Sequence, residues 1–179
     1  VFSNFTQLTV APVQLLNSSG SAFHTITATD FALNDGSCDR VALVQPSGMA
    51  PVSGTVGAVL TIDAGQPFYN GQPYVIRFYN IAPVTNHNTA TATVTLYFLQ
   101  SEFDSFNLAN GGFPDLPVNG TDAAGIGNIR ITQYNGTGTA PGNYSGNASD
   151  IDPIDANITW NAAANRWEIT FNVTGSGGF

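Results

Sequence analysis

The sequence predicts an all-β protein, an antiparallel β-sandwich of the immunoglobulin-like or jelly-roll-like kind, with one short helix and an extended N-terminal strand. Residues 89–98 read TATATVTLYF, so that apolar and polar side chains alternate with the period of a half-buried strand. Similar short segments recur along the chain with turn residues between them, which is typical of sandwiches. Only residues 101–107 suggest a helix, in which Ser101 and Asp104 have the spacing of a capping box.

The strand at residues 89–98 has a small and a large end. Ala90 and Ala92 leave room for a neighbour to approach closely, whereas Leu96 and Phe98 can fill a core. The opposite face is a ladder of threonines, whose branched Cβ atoms favour strands. Residues 74–79 also alternate, and we expect them to form a hairpin with this strand.

The rest of the chain predicts further strands and two long loops. The strands cover residues 23–33, 41–44, 52–62, 128–134, 158–160 and 167–173, and the loops cover residues 110–127 and 135–149. Gly57 suggests a β-bulge, and Ile129 and Ile131 are expected to point inward. The last two strands form a hairpin across residues 161–165.

The predicted domain organisation is an arm with a joint at residues 1–20 and a single sandwich domain at residues 21–179. Pro12 interrupts the arm because proline cannot donate to a sheet ladder, and the Ser- and Gly-rich joint is flexible. The arm is either a first strand folded back on its own domain or a strand that completes the sheet of a neighbouring subunit. The residues that would carry such assembly are Phe5, Leu8, Val10, Val13 and Leu15.

The charge composition limits the partners of the protein. The net charge is −8, with four arginines and no lysine, so that binding of nucleic acid is not expected. No apolar run is long enough to span a bilayer, so that membrane insertion is not expected. Lysine commonly protects exposed edge strands. A β-rich chain without lysine therefore has either unprotected edges or edges that are paired in the assembled state.

The composition also favours an extracellular protein from which a signal peptide has been removed, because charge is scarce and Asn, Thr, Gly and Ser are abundant. Cys38 is the only cysteine, which rules out an internal disulfide, and we expect its side chain to be small and buried. Eight asparagines stand in Asn-x-Ser/Thr triplets and are candidates for glycosylation: Asn4, Asn17, Asn119, Asn135, Asn143, Asn147, Asn157 and Asn172.

Side chains that could carry chemistry are few, and we predict no enzyme activity. Asp150, Asp152 and Asp155 are the densest carboxylates, but they lack an EF-hand pattern, so that calcium is an alternative to a solvated acidic turn. No other cofactor or metal is indicated. Trp160 and Trp167 flank the last hairpin. They could stack on sugar rings if both faced water, but Trp167 shares the apolar face of its strand, which favours core packing.

Several segments taken together resemble a known module. The segments are VALVQPSGMAPVSGTV after Cys38, then QPYVIRFYNIAPVTN, then TATATVTLYFLQSEFDSFN, and finally IDPIDANITWNAAANRWEITFNVTG. From Cys38 to its end, the chain resembles a β-sandwich module of large surface and secreted proteins of Bacteroidota-type bacteria, exported by the type IX secretion system. This resemblance implies export, an extracellular location and no known catalysis, and it supplies no catalytic residues.

The chain differs from such modules at its end. They usually continue past a Gly-Phe-Phe ending and commonly precede a sorting domain, whereas this chain ends at Gly177-Gly178-Phe179. We therefore expect the chain to be a processed product or the ordered part of a longer protein.

The sequence thus predicts a non-catalytic extracellular structural protein, a subunit of a surface filament, stalk or adhesin that assembles by strand donation into a homo-oligomer or polymer. The alternative is a carbohydrate-binding module of a secreted protein, whose partners would be glycans.

Overall fold

The computed structural model of the protein describes residues 13–27 and 31–179. Within them two antiparallel sheets pack face to face around one hydrophobic core, and a small separate hairpin lies beside them. The predicted all-β sandwich is confirmed. The strands are β1 (Gly20–Ile26), β2 (Ala32–Asn34), β3 (Arg40–Pro46), β4 (Gly54–Ile62), β5 (Phe68–Tyr69), β6 (Gln72–Pro73), β7 (Arg77–Pro83), β8 (Thr91–Phe98), β9 (Ile131–Asn135), β10 (Ala148–Ile151), β11 (Ile158–Asn161), β12 (Arg166–Thr174) and β13 (Gly177–Gly178).

The two main sheets differ in size. The large sheet has six strands in the order β1-β4-β7-β13-β9-β10, and the small sheet has five strands in the order β11-β12-β8-β3-β2. The strands β5 and β6 pair only with each other. β13 contributes two paired residues, Gly177 and Gly178, which lie between β7 and β9.

β8 is the central strand of the small sheet and corresponds to the segment that predicted the fold. Ala92, Val94, Leu96 and Phe98 are buried in the core, as their alternation predicts. The threonine face bonds to the neighbouring strand β12, because the hydroxyls of Thr95 and Thr170 lie 2.8 Å apart. β8 therefore contributes to the core with one face and to cross-strand polar pairing with the other.

The predicted hairpin between residues 74–79 and 89–98 is wrong, because β7 and β8 lie in different sheets. Tyr79 of β7 faces β8 across the core instead of pairing beside it. Its ring centroid lies 5.9 Å from that of Phe98, and its hydroxyl donates to the carbonyl of Tyr97 at 2.5 Å. Burial of two apolar faces against each other thus separated two strands that are adjacent in sequence.

Two details of the first strands also differ from expectation. The predicted strand at residues 23–33 is divided between β1 in the large sheet and β2 in the small sheet. Gly57 forms no bulge. It pairs in register with Phe23 and Ala82, and the Phe23 ring occupies the space that a Cβ at Gly57 would need, 2.7 Å from Cε1. The irregularity lies between Leu33 and Asn34.

The predicted helix is confirmed as α1 (Gln100–Ala109), and Phe103 is buried on its inner face. Its capping differs from expectation. Leu99 is the N-cap residue, and the carboxylate of Glu102 accepts a hydrogen bond from the Leu99 N–H at 2.8 Å. Neither Ser101 nor Asp104 caps the helix. The helix therefore begins where the buried Glu102 carboxylate can accept from the Leu99 N–H.

A second helix, α2 (Ala123–Gly127), interrupts the predicted loop at residues 110–127. The Asp122 side chain caps it by accepting from the Gly125 N–H at 3.0 Å. Gly125 packs so closely on Pro117 that a Cβ there would overlap the proline backbone. A five-residue helix with two glycines has little propensity of its own, and these tertiary contacts stabilise it.

The last predicted hairpin is confirmed as β11 and β12. Trp167 is completely buried, and its indole N–H donates to the side chain of Gln100 at 2.9 Å. Ile129 and Ile131 are also buried, as predicted. In the described part of the chain, neither helix has the length and apolar character needed to cross a membrane.

Candidate functional site

The outer face of the large sheet carries a group of packed tyrosines where β9, the β5–β6 hairpin and the loop at residues 136–147 meet. The rings of Tyr134 and Tyr144 are stacked, with centroids 5.7 Å apart and an interplanar angle of 29°. Tyr69 meets Tyr134 edge-on at 6.1 Å and 85°. We call Tyr69, Tyr134 and Tyr144 the tyrosine cluster. The buried ring of Phe78 supports it from β7, 6.1 Å from Tyr144.

Local backbone geometry brings these rings together. Tyr69 precedes a two-residue turn in which Asn70 and Gly71 have φ angles of 50° and 81°, as a type I′ hairpin requires. Gly178 lies beneath Tyr144, and a Cβ at this position would come within 2.5 Å of the tyrosine hydroxyl. The cluster therefore depends on glycine in two separate segments of the chain.

The cluster is partly open to solvent. Tyr69 is 36% exposed and its neighbour Phe68 is 56% exposed, whereas Tyr134 and Tyr144 are half-buried. The exposed polar side chains beside Tyr69 are both amides. Asn70 lies at the turn, and Gln72 is the cross-strand partner of Tyr69. Rings with neighbouring amides offer both an apolar surface and hydrogen-bonding groups.

Burial raises the pKa of two tyrosines in the cluster. It raises the pKa of Tyr144 to about 12, and the hydroxyl of that residue has no hydrogen-bond partner in the described part of the chain. Burial also raises the pKa of Tyr134, and the neighbouring Tyr69, Asp150 and Tyr74 raise it further. Tyr134 and Tyr144 are consequently uncharged at neutral pH.

A separate polar group lies inside the sandwich, where Arg77 of β7 meets Glu102 of α1. The Arg77 Nε donates to both oxygens of Glu102, at 2.9 and 3.1 Å, and Nη2 lies 2.8 Å from Oε1. The Arg77 side chain has no exposed area and Glu102 has 3%. Nη1 of Arg77 donates to the carbonyl of Leu16 at 2.8 Å. This pair joins the large sheet, α1 and the N-terminal segment.

The two tryptophans occupy different environments. The prediction that Trp167 packs in the core is confirmed. Trp160 meets it at 5.6 Å and 60° and is half-buried. Trp160 also lines a shallow depression of about 590 Å³ with residues 119–121. Gly120 lies against its Cβ, so that only part of the ring is open. The tryptophans therefore do not form a paired platform.

A groove of about 520 Å³ lies at the rim between the two sheets. Hydroxyls, amides and a short apolar stretch line it, and no charged side chain does. The lining includes Ser47, Gly48, Thr91 and Asn172 from the side of the small sheet and Gln133, Asn135 and Ser149 from the large sheet. A neutral groove of this kind offers hydrogen bonds but no group suited to acid–base catalysis at neutral pH.

The structure does not collect the three predicted carboxylates into a cation site. Asp150 accepts from the hydroxyl of Thr132 at 2.7 Å, Asp152 pairs with the exposed Arg130 at 3.0 Å, and Asp155 lies in a 3-10 turn. Within residues 13–27 and 31–179, no three His, Cys, Asp or Glu side chains are grouped as metal ligands.

Most of the asparagines predicted as glycosylation sites lie on the surface. Asn17, Asn119, Asn143, Asn147, Asn157 and Asn172 are exposed, Asn135 is half-buried, and Asn4 lies outside the described residues. The side chain of Asn143 is occupied locally, because its oxygen accepts from the Thr139 and Ala140 N–H groups at 2.9 and 3.0 Å. The amide of Asn135 donates to the carbonyl of Asn147 at 2.8 Å. Glycosylation of these positions stays a prediction.

The residues of the predicted assembly arm fall into two groups. Phe5, Leu8 and Val10 lie outside the described residues. Val13 is 41% exposed, whereas Leu15 is 7% exposed and pairs in parallel with Arg40 of β3.

The base of the arm is tied to its own sandwich by backbone hydrogen bonds. The Arg40 N–H donates to the Gln14 carbonyl at 2.7 Å, and the Leu16 N–H donates to the Arg40 carbonyl at 3.1 Å. Arg166 donates to the Val13 carbonyl at 3.0 Å, and its guanidinium carbon lies 4.3 Å from the centroid of the Tyr97 ring. Residues 13–16 are therefore held to the start of β3 and to Arg166 of β12.

Cys38 does not have the buried position predicted for it, because it is exposed. The Asp35 side chain accepts from the Ser37 and Asp39 N–H groups at 2.9 and 2.8 Å. This tight turn places Cys38 on its outside with a φ of 67°. The turn chemistry of Asp35 therefore decided the exposure of Cys38.

Comparisons with known proteins leave the family open. No family model matches the chain, and no curated protein or solved structure matches it either. The resemblance to secreted bacterial sandwich modules therefore stays a prediction.

Sequence reasoning missed the tyrosine cluster, although a signal was present. All three tyrosines stand beside Asn and Gly in the segments FYNGQ, QYNGT and GNYSG. An aromatic residue next to a turn lies close to the end of a strand or helix, where several loops can meet. What the sequence cannot show is that these three turns lie on the same face of one sheet.

Proposed function

We propose that the protein is a non-catalytic extracellular structural subunit of a surface filament, stalk or adhesin. Residues 1–12 of one subunit add as a strand to the sandwich of the next. The observation that supports this proposal best is the edge strand β1, which lacks the usual features that prevent strand addition. The lysine-free sequence and the extracellular character of the composition are consistent with it.

β1 differs from the other three sheet edges. It has seven residues, Gly20–Ile26, in regular register with β4, and its sequence GSAFHTI contains no Pro, Lys, Arg, Asp or Glu. β2 has three residues and a register shift, β10 has four residues and carries Asp150, and β11 has four residues. Short length, charge and bulges are the devices by which sheet edges avoid pairing. β1 is therefore the edge best suited to accept another strand.

The arm has the pattern that such a strand needs. Leu8 and Val10 alternate with Gln7 and Thr9, so that one face can extend the apolar face of a sheet. Residues 13–16 are held to β3 by the contacts described above, which supports an arm that is anchored at residue 13 of its own subunit. The donated segment then comprises residues 1–12 of the arm.

Deletion of residues 1–12 tests the proposal. We expect the chain of residues 1–179 to form oligomers or filaments, and the deletion to leave monomers with an unchanged melting temperature, because the buried Leu15 and Leu16 remain. Sedimentation velocity, electron microscopy and thermal unfolding measure these outcomes. Deletion of residues 1–16 is the contrasting variant. It removes both leucines, and each buried leucine stabilises the fold by roughly 2–5 kcal/mol.

A pair of lysine substitutions tests the acceptor edge. Thr25 of β1 and Thr55 of β4 are register partners, and both are exposed. Thr25→Lys places a charge on the edge strand and should block assembly, whereas Thr55→Lys places the same charge one strand further in and should not. If the unmodified chain is monomeric at all concentrations, or if filaments persist without residues 1–12, strand donation is wrong.

A further inference from the structure

The outer face of the large sheet has features that strand donation does not use. Phe23 of β1 is 71% exposed and lies flat over Gly57, and Val59 of β4 is 43% exposed. The tyrosine cluster lies on the same face at β9 and β13. Exposed aromatic side chains on one face of a sheet make this face a candidate binding surface.

The face is also elongated. Four inter-strand spacings separate β1 from β9 in the sheet order, which corresponds to roughly 19 Å. The intervening outward positions on β4 and β7 are occupied by Gly57, Val59, Asn80 and Ala82. None of these is charged. The Asn80 amide donates to the Gly138 carbonyl at 3.2 Å, so that the loop at residues 136–147 reaches this position. An extended ligand could lie over Gly57, Val59 and Ala82, between Phe23 and the tyrosine cluster.

The charges of the protein decide the class of ligand. No lysine is present, and three of the four arginines pair with acids elsewhere: Arg77 with Glu102, Arg130 with Asp152 and Arg166 with Glu168. The fourth, Arg40, belongs to β3 of the small sheet, on the other side of the sandwich from this face. With a net charge of −8, the protein repels anionic polymers, and the face has no cation with which to hold a carboxylate or sulfate.

From these observations we propose that the outer face of the large sheet binds a neutral polysaccharide, with the tyrosine cluster and Phe23 as its aromatic contacts. The C–H faces of pyranose rings pack on aromatic rings, and the sugar hydroxyls pair with the amides of Asn70 and Gln72 beside Tyr69. The close contact between the tyrosine rings leaves no space for a ligand between them, so that the sugar lies on the cluster. This inference goes beyond the proposed assembly function and does not depend on it.

Binding of the unmodified chain to polysaccharide particles tests the proposal. The probes are cellulose, chitin, xylan, β-1,3-glucan and mannan, with alginate and chondroitin sulfate as anionic polymers. We expect retention on at least one neutral polymer, with Tyr69→Ala and Phe23→Ala each raising the dissociation constant about tenfold or more, as loss of an aromatic anchor does. Phe113→Ala is the matched control, because Phe113 is 42% exposed and belongs to a loop outside the large sheet. It should bind like the unmodified protein.

Three outcomes would overturn the proposal. They are an absence of retention on every neutral polymer, preference for the anionic polymers, and equal binding by the Tyr69→Ala, Phe23→Ala and unmodified proteins. Thermal unfolding of each variant separates lost contacts from lost structure. If Tyr69→Ala changes the sedimentation coefficient and not glycan binding, the face contacts a second copy of the chain, and the glycan proposal is wrong. Deletion of residues 1–12 should leave glycan binding intact, which separates this result from the assembly test.

Discussion

At the residue scale, the contact between Arg77 and Glu102 joins β7, α1 and the segment at Leu16. The Glu102 carboxylate accepts from Arg77 and also from the Leu99 N–H at the start of α1. Arg77 in turn donates to the Leu16 carbonyl. Burial of both charges costs free energy, and only this complete set of partners offsets it. The Leu99 N–H is close to Glu102 in the sequence, whereas Arg77 lies 25 residues away.

We predict that Glu102→Gln strongly destabilises the fold, because it leaves the Arg77 guanidinium buried without its counter-charge. Loss of one partner of a buried pair costs roughly 3–5 kcal/mol. The free energy of unfolding in urea measures the effect. The double variant Arg77→Met with Glu102→Leu is the control and should recover much of the loss. If Glu102→Gln is as stable as the unmodified protein, the buried pair does not stabilise the fold in this way.

At the element scale, β13 shows how one short strand can complete a sheet. Gly177 and Gly178 pair with both β7 and β9, and Phe179 continues toward the core, its ring centroid 5.8 Å from that of Phe171. A Cβ at Gly177 would overlap the carbonyl of Tyr134. Two glycines are thus required where two strands and an aromatic cluster approach the same backbone.

We predict that Gly177→Ala destabilises the fold more than Gly178→Ala does. The obstacle at Gly177 is backbone, which cannot move alone, whereas the nearest atoms at Gly178 belong to the rings of Phe78 and Tyr144. Overpacking of this kind costs about 1–3 kcal/mol or more. Gly36→Ala is the control, since nothing lies within 4 Å of its added Cβ. Urea unfolding of the three variants gives the order, and a reversed order would contradict this account of β13.

At the scale of the whole molecule, three tyrosines that are fully or half buried lie in different parts of the sandwich. Tyr79 lies in the core, Tyr97 lies beneath Arg166, and Tyr144 covers β13. Burial raises the pKa of all three, to about 12 for Tyr97 and Tyr144 and further still for Tyr79. Each therefore keeps its proton in the folded state at a pH at which the unfolded chain has lost it.

We predict that the protein loses stability between about pH 10 and pH 12. Because the folded pKa of each tyrosine is raised above the unfolded value of 10.0, its contribution is complete below pH 10 and is lost as the pH rises through the folded pKa. Urea unfolding at several alkaline pH values, together with tyrosinate absorbance, measures the loss. Tyr144→Phe should reduce the pH dependence. Ordinary titration of every tyrosine in a protein that stays folded would contradict the prediction.

The sequence by itself determined the elements whose periodicity is strong. The alternation in β8, the turn residues around β11 and β12, and the inward Ile129 and Ile131 depend on local chemistry, which a single chain segment expresses without its neighbours. The all-β sandwich followed from these segments. The position of α1 followed from its own segment, in which Phe103 and Phe106 share one buried face.

Only the tertiary structure decided which segments meet. It placed β7 and β8 in opposite sheets, paired Arg77 with Glu102, joined residues 13–16 to β3, and brought Tyr69, Tyr134 and Tyr144 onto one face. The physical reason is that apolar faces exclude water by packing against whichever surface completes the core, and this choice involves the whole chain at once. Arg77 and Glu102, residues 13–16 and β3, and Tyr69 and Tyr134 are distant in sequence, and therefore no local pattern records their contacts.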